Sequence, residues 1–216
     1  MFYHHGWMAI ISIKLNAQKK GDQMAISLTK GGNISLEKVA PNLTSIALGL
    51  GWGQIEKKGF FGKKKVSVDL DAACLLFDQD KNLVDSVWFQ HLKSNDGSIV
   101  HTGDDLTGGG KEGTPNEIID VHFKDIPNQI TTLIFTVNSF SSETFDGIPN
   151  AFCVLRDLKT NEEIARYNIS VEGGAHTGLV IAKLYRDNSD WKFKALGEWG
   201  QGRTFDKLMP LITPCL

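Results

Sequence analysis

The chain contains 216 residues, of which 41% are hydrophobic, and this is sufficient for one domain with a full-sized core. Its 23 basic and 25 acidic residues give a formal net charge of −2, which provides no reason to expect nucleic acid as a main partner. No run of about eighteen apolar residues occurs, so no membrane span is expected. The three cysteines, Cys74, Cys153 and Cys215, fit no zinc-binding spacing and are interpreted as free thiols in a reducing compartment.

The first 23 residues differ from the rest of the chain. They contain a short apolar patch, Met8–Ile13, but neither a basic start nor a small-residue cleavage site, which disfavours a signal peptide. A regular pattern of short apolar runs begins at Met24. We therefore interpret residues 1–23 as an extension outside the domain.

From Met24 onwards, short runs rich in Val, Ile, Leu and Phe alternate with turn residues. The predicted strands are Met24–Lys30, Ile34–Val39, Ser45–Leu50, Val66–Asp78, Leu83–Gln90, Ser98–His101, Ile118–Phe123, Thr131–Asn138, Ala151–Asp157, Glu163–Asn168, Leu179–Arg186 and Trp191–Gly197. No long window shows a convincing helical period, and residues 204–216 form a short tail in which Thr204–Leu208 fits one helical turn. The pattern predicts an all-β fold, a two-sheet antiparallel β-sandwich with long acidic metal-binding loops.

One of those loops, Ser94–Glu117, combines acidic residues with six glycines. Glycine is costly inside helices and strands, and loops of this length are uncommon in compact domains unless they have a function. Carboxylates gathered on one loop repel each other unless a cation or hydrogen-bond donors lie between them. The loop therefore predicts a site for a hard cation, with calcium as the leading candidate. A solvated hairpin loop remains the alternative.

The preceding strand offers a second pair of carboxylates, Asp69 and Asp71. Residues two apart in a strand point to the same side, so both carboxylates share a face while Leu70 points into the core. Calcium takes six to eight oxygen ligands. The candidate ligands are the carboxylates of Asp69, Asp71, Asp96, Asp104 and Asp105, with the hydroxyl of Thr102 or Thr107. The alternative places the pair on an exposed face near Lys63–Lys65.

Other motifs fit known sites poorly. Asp78–Asn82 begins like an EF-hand loop, but Leu83 and Phe89 occupy the positions that require glycine and glutamate. No nucleophile stands beside a base, and His101 has no visible orienting partner. The basic run Lys63–Lys65 is most simply a solvated loop, with contact to anionic lipid or another acidic surface as the alternative.

Seven segments, in order along the chain, carry a family resemblance. They are KGGNISL near Lys30, SIALGLGW at Ser45, VDLDAACLLFD at Val68, LKSNDGSIVHTGDDLTG at Leu92, NAFCVL at Asn150, EIARYNI at Glu163 and WKFKALGEWGQG at Trp191. Together they resemble the TerD family of tellurium-resistance and stress-response proteins over residues 24–203. The segments KKGFFG, VWFQHL, FTVNSF and NAFC make the chain similar to the TerZ branch.

The resemblance implies a bacterial cytoplasmic β-sandwich that binds calcium through an acidic cluster, with no established catalytic activity. It implies as partners paralogous TerD-type proteins and a TerC-type membrane protein, which would allow a peripheral location at the inner membrane face. The family's aspartates correspond to Asp69 and Asp71 in VDLDA and to Asp96 and Asp104 in NDGSIVHTGD.

The second half of the loop departs from the family pattern. Asp105 stands where the family has asparagine, and GGKEGTPNE follows where the family has more acids. Glu117 matches the last family acid. Fewer carboxylates should weaken calcium binding, because affinity follows ligand charge and site rigidity.

The resulting hypothesis is a calcium-binding, non-enzymatic stress-response protein linked to tellurite resistance, acting as a scaffold or sensor. Its predicted site consists of Asp69, Asp71, Asp96, Asp104, Asp105, Thr107 and Glu117. One alternative is a metal-dependent phosphoester hydrolase with His101 as general base. Another is a metal-free interaction module that uses the loop Phe60–Lys65.

Overall fold

The computed structural model describes residues 26–27, 30–59, 62–111, 113–188 and 190–216, and the predicted extension 1–23 lies outside them. The strands in chain order are β1 (Ile26–Ser27), β2 (Asn33–Ser35), β3 (Ser45–Gly51), β4 (Ile55–Gly59), β5 (Gly62–Val66), β6 (Leu70–Asp78), β7 (Leu83–Val87), β8 (Ile99–His101), β9 (Glu117–His122), β10 (Ile130–Ser139), β11 (Phe152–Asp157), β12 (Glu163–Asn168), β13 (Gly178–Asp187) and β14 (Asp190–Gly200). The short α-helices are α1 (Leu36–Val39), α2 (Ile169–Glu172) and α3 (Met209–Ile212), and single 3₁₀ turns cover Phe145–Gly147, Phe205–Leu208 and Thr213–Cys215. Among these helices, none is long and apolar enough to cross a membrane.

Two six-stranded sheets face each other. The first sheet has the order β1-β12-β11-β3-β9-β8, and the second has the order β2-β14-β13-β10-β6-β7. Within the described residues, every strand pairing in these two sheets is antiparallel except the short parallel pairing of β1 with β12. Strands account for 49% of the structure, and the prediction of an all-β antiparallel sandwich is confirmed.

Alternation along β9 shows how the sequence builds the core. Glu117, Ile119 and Val121 are fully buried between the sheets, whereas the residues between them face outward and are partly exposed. Strand β6 lacks this alternation because both of its faces are covered. One face packs in the main core, and Leu75 and Phe77 on the other pack under the C-terminal segment.

The C-terminal tail covers the outer face of the second sheet. Leu208 and Ile212 are 0% exposed and pack with Leu75 and Phe77 of β6. Lys183 Nζ also donates to the Cys215 carbonyl oxygen at 2.6 Å. Residues 204–216, described from sequence as a short tail, thus pack against this sheet through Leu208 and Ile212.

Two local predictions are wrong. The predicted strand Ile34–Val39 ends early, because Ser35 caps helix α1 by accepting a hydrogen bond from the Lys38 backbone N–H at 3.4 Å. The predicted long strand Val66–Asp78 is divided, with Val66 closing β5 and Leu70 opening β6. Strands β4 and β5 form a separate two-stranded hairpin that includes Lys63–Lys65, which the sequence analysis interpreted as a solvated loop.

Candidate metal centre

Three carboxylates converge at one end of the sandwich. Asp69 directly precedes β6, Asp71 is the second residue of that strand, and Asp104 lies on the loop after β8. One oxygen from each of the three lies within 4.8 Å of the others. Leu70 between the two aspartates is 0% exposed, as the alternation of a strand requires. We call these three residues the acidic cluster.

Two oxygens of the acidic cluster have no hydrogen-bond partner among the described residues. Asp71 is only 6% exposed, and its Oδ2 atom accepts no hydrogen bond. The Oδ1 atom of Asp69 is likewise buried without a partner. Buried carboxylates are normally paired or hydrogen-bonded, because burying an uncompensated charge is costly. A bound cation would supply the missing compensation.

The electrostatics of the acidic cluster favour protonation when no cation is present. Burial and, after it, the nearby charges of Asp69, Glu117 and Asp104 together raise the pKa of Asp71 to about 8. Burial also raises the pKa of Asp69 to about 6, assisted mainly by Asp104 and Glu117 and opposed by Arg203. The charges of the surrounding acids therefore oppose ionisation of both Asp69 and Asp71.

Glu117 holds the acid-bearing loop against β6. Its side chain is fully buried; Oε2 accepts the Ala72 backbone N–H at 2.8 Å, and Oε1 accepts the Asp105 backbone N–H at 3.2 Å. Burial raises the pKa of Glu117, although the nearby His101 ring and the hydrogen bonds from these two amides oppose the shift. Both carboxylate oxygens of Glu117 therefore accept hydrogen bonds that position β6 and the loop after β8, the two segments that carry the cluster.

His101 is enclosed beside Glu117. The Gly103 backbone N–H donates to His101 Nδ1 at 3.2 Å, so the proton of the neutral ring belongs on Nε2. That Nε2 lies 3.4 Å from Glu117 Oε2, a separation long for a hydrogen bond, and we treat the contact as electrostatic. With 2% of its surface exposed, His101 is not placed to reach a phosphoester substrate as a general base.

Asp105 and Thr107 organise the loop outside the three-residue cluster. Asp105 Oδ1 accepts hydrogen bonds from the Thr107 N–H, the Thr107 hydroxyl and the Gly108 N–H, and Oδ2 accepts one from Asn116 Nδ2 at 2.8 Å. Burial would raise the pKa of Asp105, but these hydrogen bonds outweigh it and lower the pKa. The structure therefore gives both side chains a role in shaping the loop.

Asp96 forms a tight turn and does not join the cluster. Its Oδ1 atom accepts the Ser94 hydroxyl at 2.8 Å and the Ser98 backbone N–H at 2.7 Å. Burial alone would raise its pKa, but the hydrogen bonds from these two serines lower it. The predicted seven-residue set thus divides into three converging acids, the positioning residue Glu117, and three residues of hydrogen-bonded loops.

Trp52 is a loop-positioning residue that the sequence analysis missed. Its Nε1 donates to the Val68 carbonyl oxygen at 2.8 Å, immediately before Asp69, and its own carbonyl accepts the Gly109 N–H at 2.9 Å. Gly108 has φ +64°, and a Cβ there would meet Trp52 Nε1 at 2.2 Å, so the close approach requires glycine. No local pattern could reveal contacts between residues so distant in the chain.

Replacing Glu117 with alanine is expected to destabilise the protein even without calcium. The Ala72 and Asp105 amides would lose their acceptor and a cavity would remain, at a cost of about 2–4 kcal/mol. Denaturant unfolding in EDTA measures this change. Asp104→Ala is the matched control, because exposed Asp104 should change stability by less than about 0.5 kcal/mol. Equal losses in the two variants would contradict the positioning role.

The fold and the acidic cluster define a class: a β-sandwich with three carboxylates converging at one end. The TerD domain family model matches residues 24–210. Tellurium resistance protein TerZ of Serratia marcescens is 42% identical over 186 residues, covering 85% of this chain and 94% of the relative. Stress response protein SCP2 of Bacillus subtilis (strain 168) is 36% identical, covering 81% of this chain and 92% of the relative.

A solved structure shares the fold. It is a homologue of telluride resistance protein (TerD) from Streptomyces coelicolor A3(2), with a TM-score of 0.64 and 20% identity, covering 78% of this chain and 98% of that chain. The chain therefore belongs to the TerD family of tellurium-resistance and stress-response proteins. The predicted family is confirmed, and the match to TerZ agrees with the predicted branch.

Proposed function

We propose that this TerD-family chain is a calcium-binding, non-enzymatic protein that acts as a scaffold or sensor in the response to tellurite and related stresses. The observation that carries the proposal is the acidic cluster, in which Asp69, Asp71 and Asp104 bring oxygens within 4.8 Å of each other. Asp71 supplies the second, independent feature, since it is 6% exposed and one of its oxygens has no partner in the part of the chain that the structure describes.

The donor set suits calcium among biological cations. Carboxylate oxygens are hard ligands, whereas zinc and copper sites favour the nitrogen and sulfur atoms of histidine and cysteine. Cys74 and Cys153 are buried in strands, and burial raises the pKa of both thiols. Asp69, Asp71 and Asp104 would hold the ion, with Glu117 fixing the two segments that carry them.

Calcium occupancy would couple the acid-bearing loop to β6. The ion would cancel the repulsion among the carboxylates and order the loop, which would present a surface to partners. The proposed partners are TerD-type paralogues and a TerC-type membrane protein, and the proposed location is the cytoplasm, with peripheral association at the inner membrane face. The Asp71 environment supports this coupling, because its desolvated carboxylate has most to gain from a cation.

Calcium is expected to raise the melting temperature of the purified protein by roughly 5–10 °C relative to EDTA. Binding to the folded state alone at 100 times Kd contributes about 2.7 kcal/mol. For a domain of this size, each kcal/mol shifts the melting temperature by roughly 2–4 °C. Differential scanning fluorimetry and calorimetric titration measure the shift and the affinity.

Magnesium at the same concentration is the control, because it demands a smaller octahedral site and dehydrates reluctantly. No binding heat and no melting shift at millimolar calcium would overturn the proposal and favour the metal-free interaction module. Equal shifts with both ions would indicate general screening of the acids instead of a calcium site.

A further inference from the structure

The β4–β5 hairpin concentrates positive charge on a chain whose net charge is −2. Its ten paired residues contain five lysines and one glutamate, and all five lysines are exposed. The hairpin forms a two-stranded sheet of its own and pairs with neither six-stranded sheet. We call its lysines, Lys57, Lys58, Lys63, Lys64 and Lys65, the basic hairpin surface.

The register of the hairpin places like charges opposite each other. Lys57 pairs with Lys64, and Lys58 pairs with Lys63. Directly opposed like charges destabilise an antiparallel pair, so the isolated hairpin carries an electrostatic cost. Two ion pairs offset it in part, Lys57 with Glu143 at 3.2 Å and Lys63 with Glu56 at 2.7 Å. Lys58 and Lys64 form no salt bridge with any described residue.

Positive charge lies on both faces of this ribbon. Directly opposed residues share a face and successive residues alternate, so Lys57 and Lys64 occupy one face and Lys58, Lys63 and Lys65 the other. A flat protein surface would contact one face only. A hairpin that enters a layer of anionic lipid headgroups edge-on is surrounded by them, so the headgroups can contact both of its faces at once.

We propose that the basic hairpin surface docks the protein on an anionic phospholipid membrane. Clusters of four to eight basic residues bind anionic lipid surfaces through the negative surface potential. The surface contains lysine and no arginine, which suits long-range attraction by hydrated point charges more than bidentate recognition of one phosphate. By sequence, the strands are joined by Phe60 and Phe61, which lie outside the described residues.

The docking surface is connected to the acidic cluster through short stretches of chain. Strand β5 ends at Val66, three residues before Asp69, and the segment leading into β4 begins after Gly51, next to the Leu50 that pairs with Glu117. Uncompensated acids at this end would repel an anionic membrane, so calcium would strengthen docking if it binds there. The lysines themselves act without calcium, and docking therefore does not rest on the proposed calcium function.

Vesicle co-sedimentation of the full chain in EGTA tests the docking surface. The vesicles contain either phosphatidylcholine alone or phosphatidylcholine with phosphatidylglycerol. The wild type is expected to bind only the anionic vesicles, more weakly as salt increases. The triple variant K58Q/K64Q/K65Q is expected to lose roughly 100-fold in affinity, because each basic residue contributes about a fivefold gain at such a surface.

The matched control is K38Q/K124Q/K159Q, which removes the same charge from exposed lysines on other elements. It should retain most of the binding, and circular dichroism should show both variants folded. Equal losses in the two variants, equal binding to neutral vesicles, or binding to duplex DNA or a polyglutamate peptide without binding to anionic vesicles would each overturn membrane docking. A failed calcium titration beside lysine-dependent docking would count against the calcium proposal alone.

Discussion

The Asp71→Asn variant is expected to lose calcium binding while becoming more stable in the absence of metal. Asparagine keeps the shape of the side chain and removes its charge. Because one of three converging carboxylates becomes neutral, calcium affinity should fall on the order of 100-fold, in line with its dependence on ligand charge. Calorimetric titration measures the loss directly.

The gain in metal-free stability follows from the desolvation of Asp71. Its pKa is raised to about 8, first by burial and then by the charges of Asp69, Glu117 and Asp104. Near pH 8 the folded protein must either keep this carboxylate ionised, although it is desolvated and surrounded by acids, or bind a proton there. Removing that cost should raise the free energy of unfolding by about 2–4 kcal/mol after allowance for solvent screening. Denaturant unfolding in EDTA measures the gain.

Asp96→Asn is the matched control for this experiment, since Asp96 was included in the predicted site but lies outside the acidic cluster. Its pKa is lowered by the hydrogen bonds of Ser98 and Ser94, which outweigh the opposing effect of burial. Loss of its charge should therefore reduce stability slightly and leave calcium affinity within about twofold. If the two variants lost calcium binding equally, the three-residue cluster would not be the site.

The shared direction of Asp69 and Asp71 could be predicted from local geometry. Asp69 and Asp71 are two residues apart at the start of a strand, so their shared direction follows from the strand period. Their approach to Asp104 required two distant segments to meet. The sequence analysis grouped Asp104 with them only as one of several candidate carboxylates, since no spacing rule connects the end of β8 with the beginning of β6.

Asp96 belongs to the predicted site but lies outside the acidic cluster. It stands among acids in the sequence, yet it closes a turn through Ser94 and Ser98. The segment Ser94–Ser98, with Asn, Asp and Gly between two serines, carries the sequence signal of such a turn. A carboxylate that already accepts hydrogen bonds from two local donors has fewer lone pairs available to coordinate a cation.

The two incorrect strand assignments have a common origin. The segment Ile34–Val39 has a short alternating pattern that is typical of a strand. It forms helix α1 from Leu36 onwards because the Ser35 hydroxyl accepts a hydrogen bond from the Lys38 N–H and caps the helix. The apolar run Val66–Asp78 spans the end of β5 and all of β6. Val68 lies between the two strands, where its backbone is hydrogen-bonded to the Trp52 side chain and to the Thr107 carbonyl oxygen. Periodicity cannot report contacts made by residues outside the window.

The stability of the metal-free protein is expected to fall as pH rises from about 4 to 8. The folded-state pKa of Asp69 is about 6 and that of Asp71 is about 8, both above their ordinary value of 3.8. The folded state therefore binds more protons than the unfolded state in this window. Such groups contribute their stability fully below the unfolded pKa and lose it as pH passes the folded pKa.

Between pH 6 and 8 the slope should come mainly from Asp71, at about 1 kcal/mol per pH unit. Urea unfolding in EDTA at several pH values measures it. Saturating calcium should remove the decline, because the bound ion holds both carboxylates ionised in the folded state and its affinity rises with pH. Asp71→Asn should remove the same decline without calcium. A decline that persisted in that variant would assign the pH dependence to other groups and separate it from the acidic cluster.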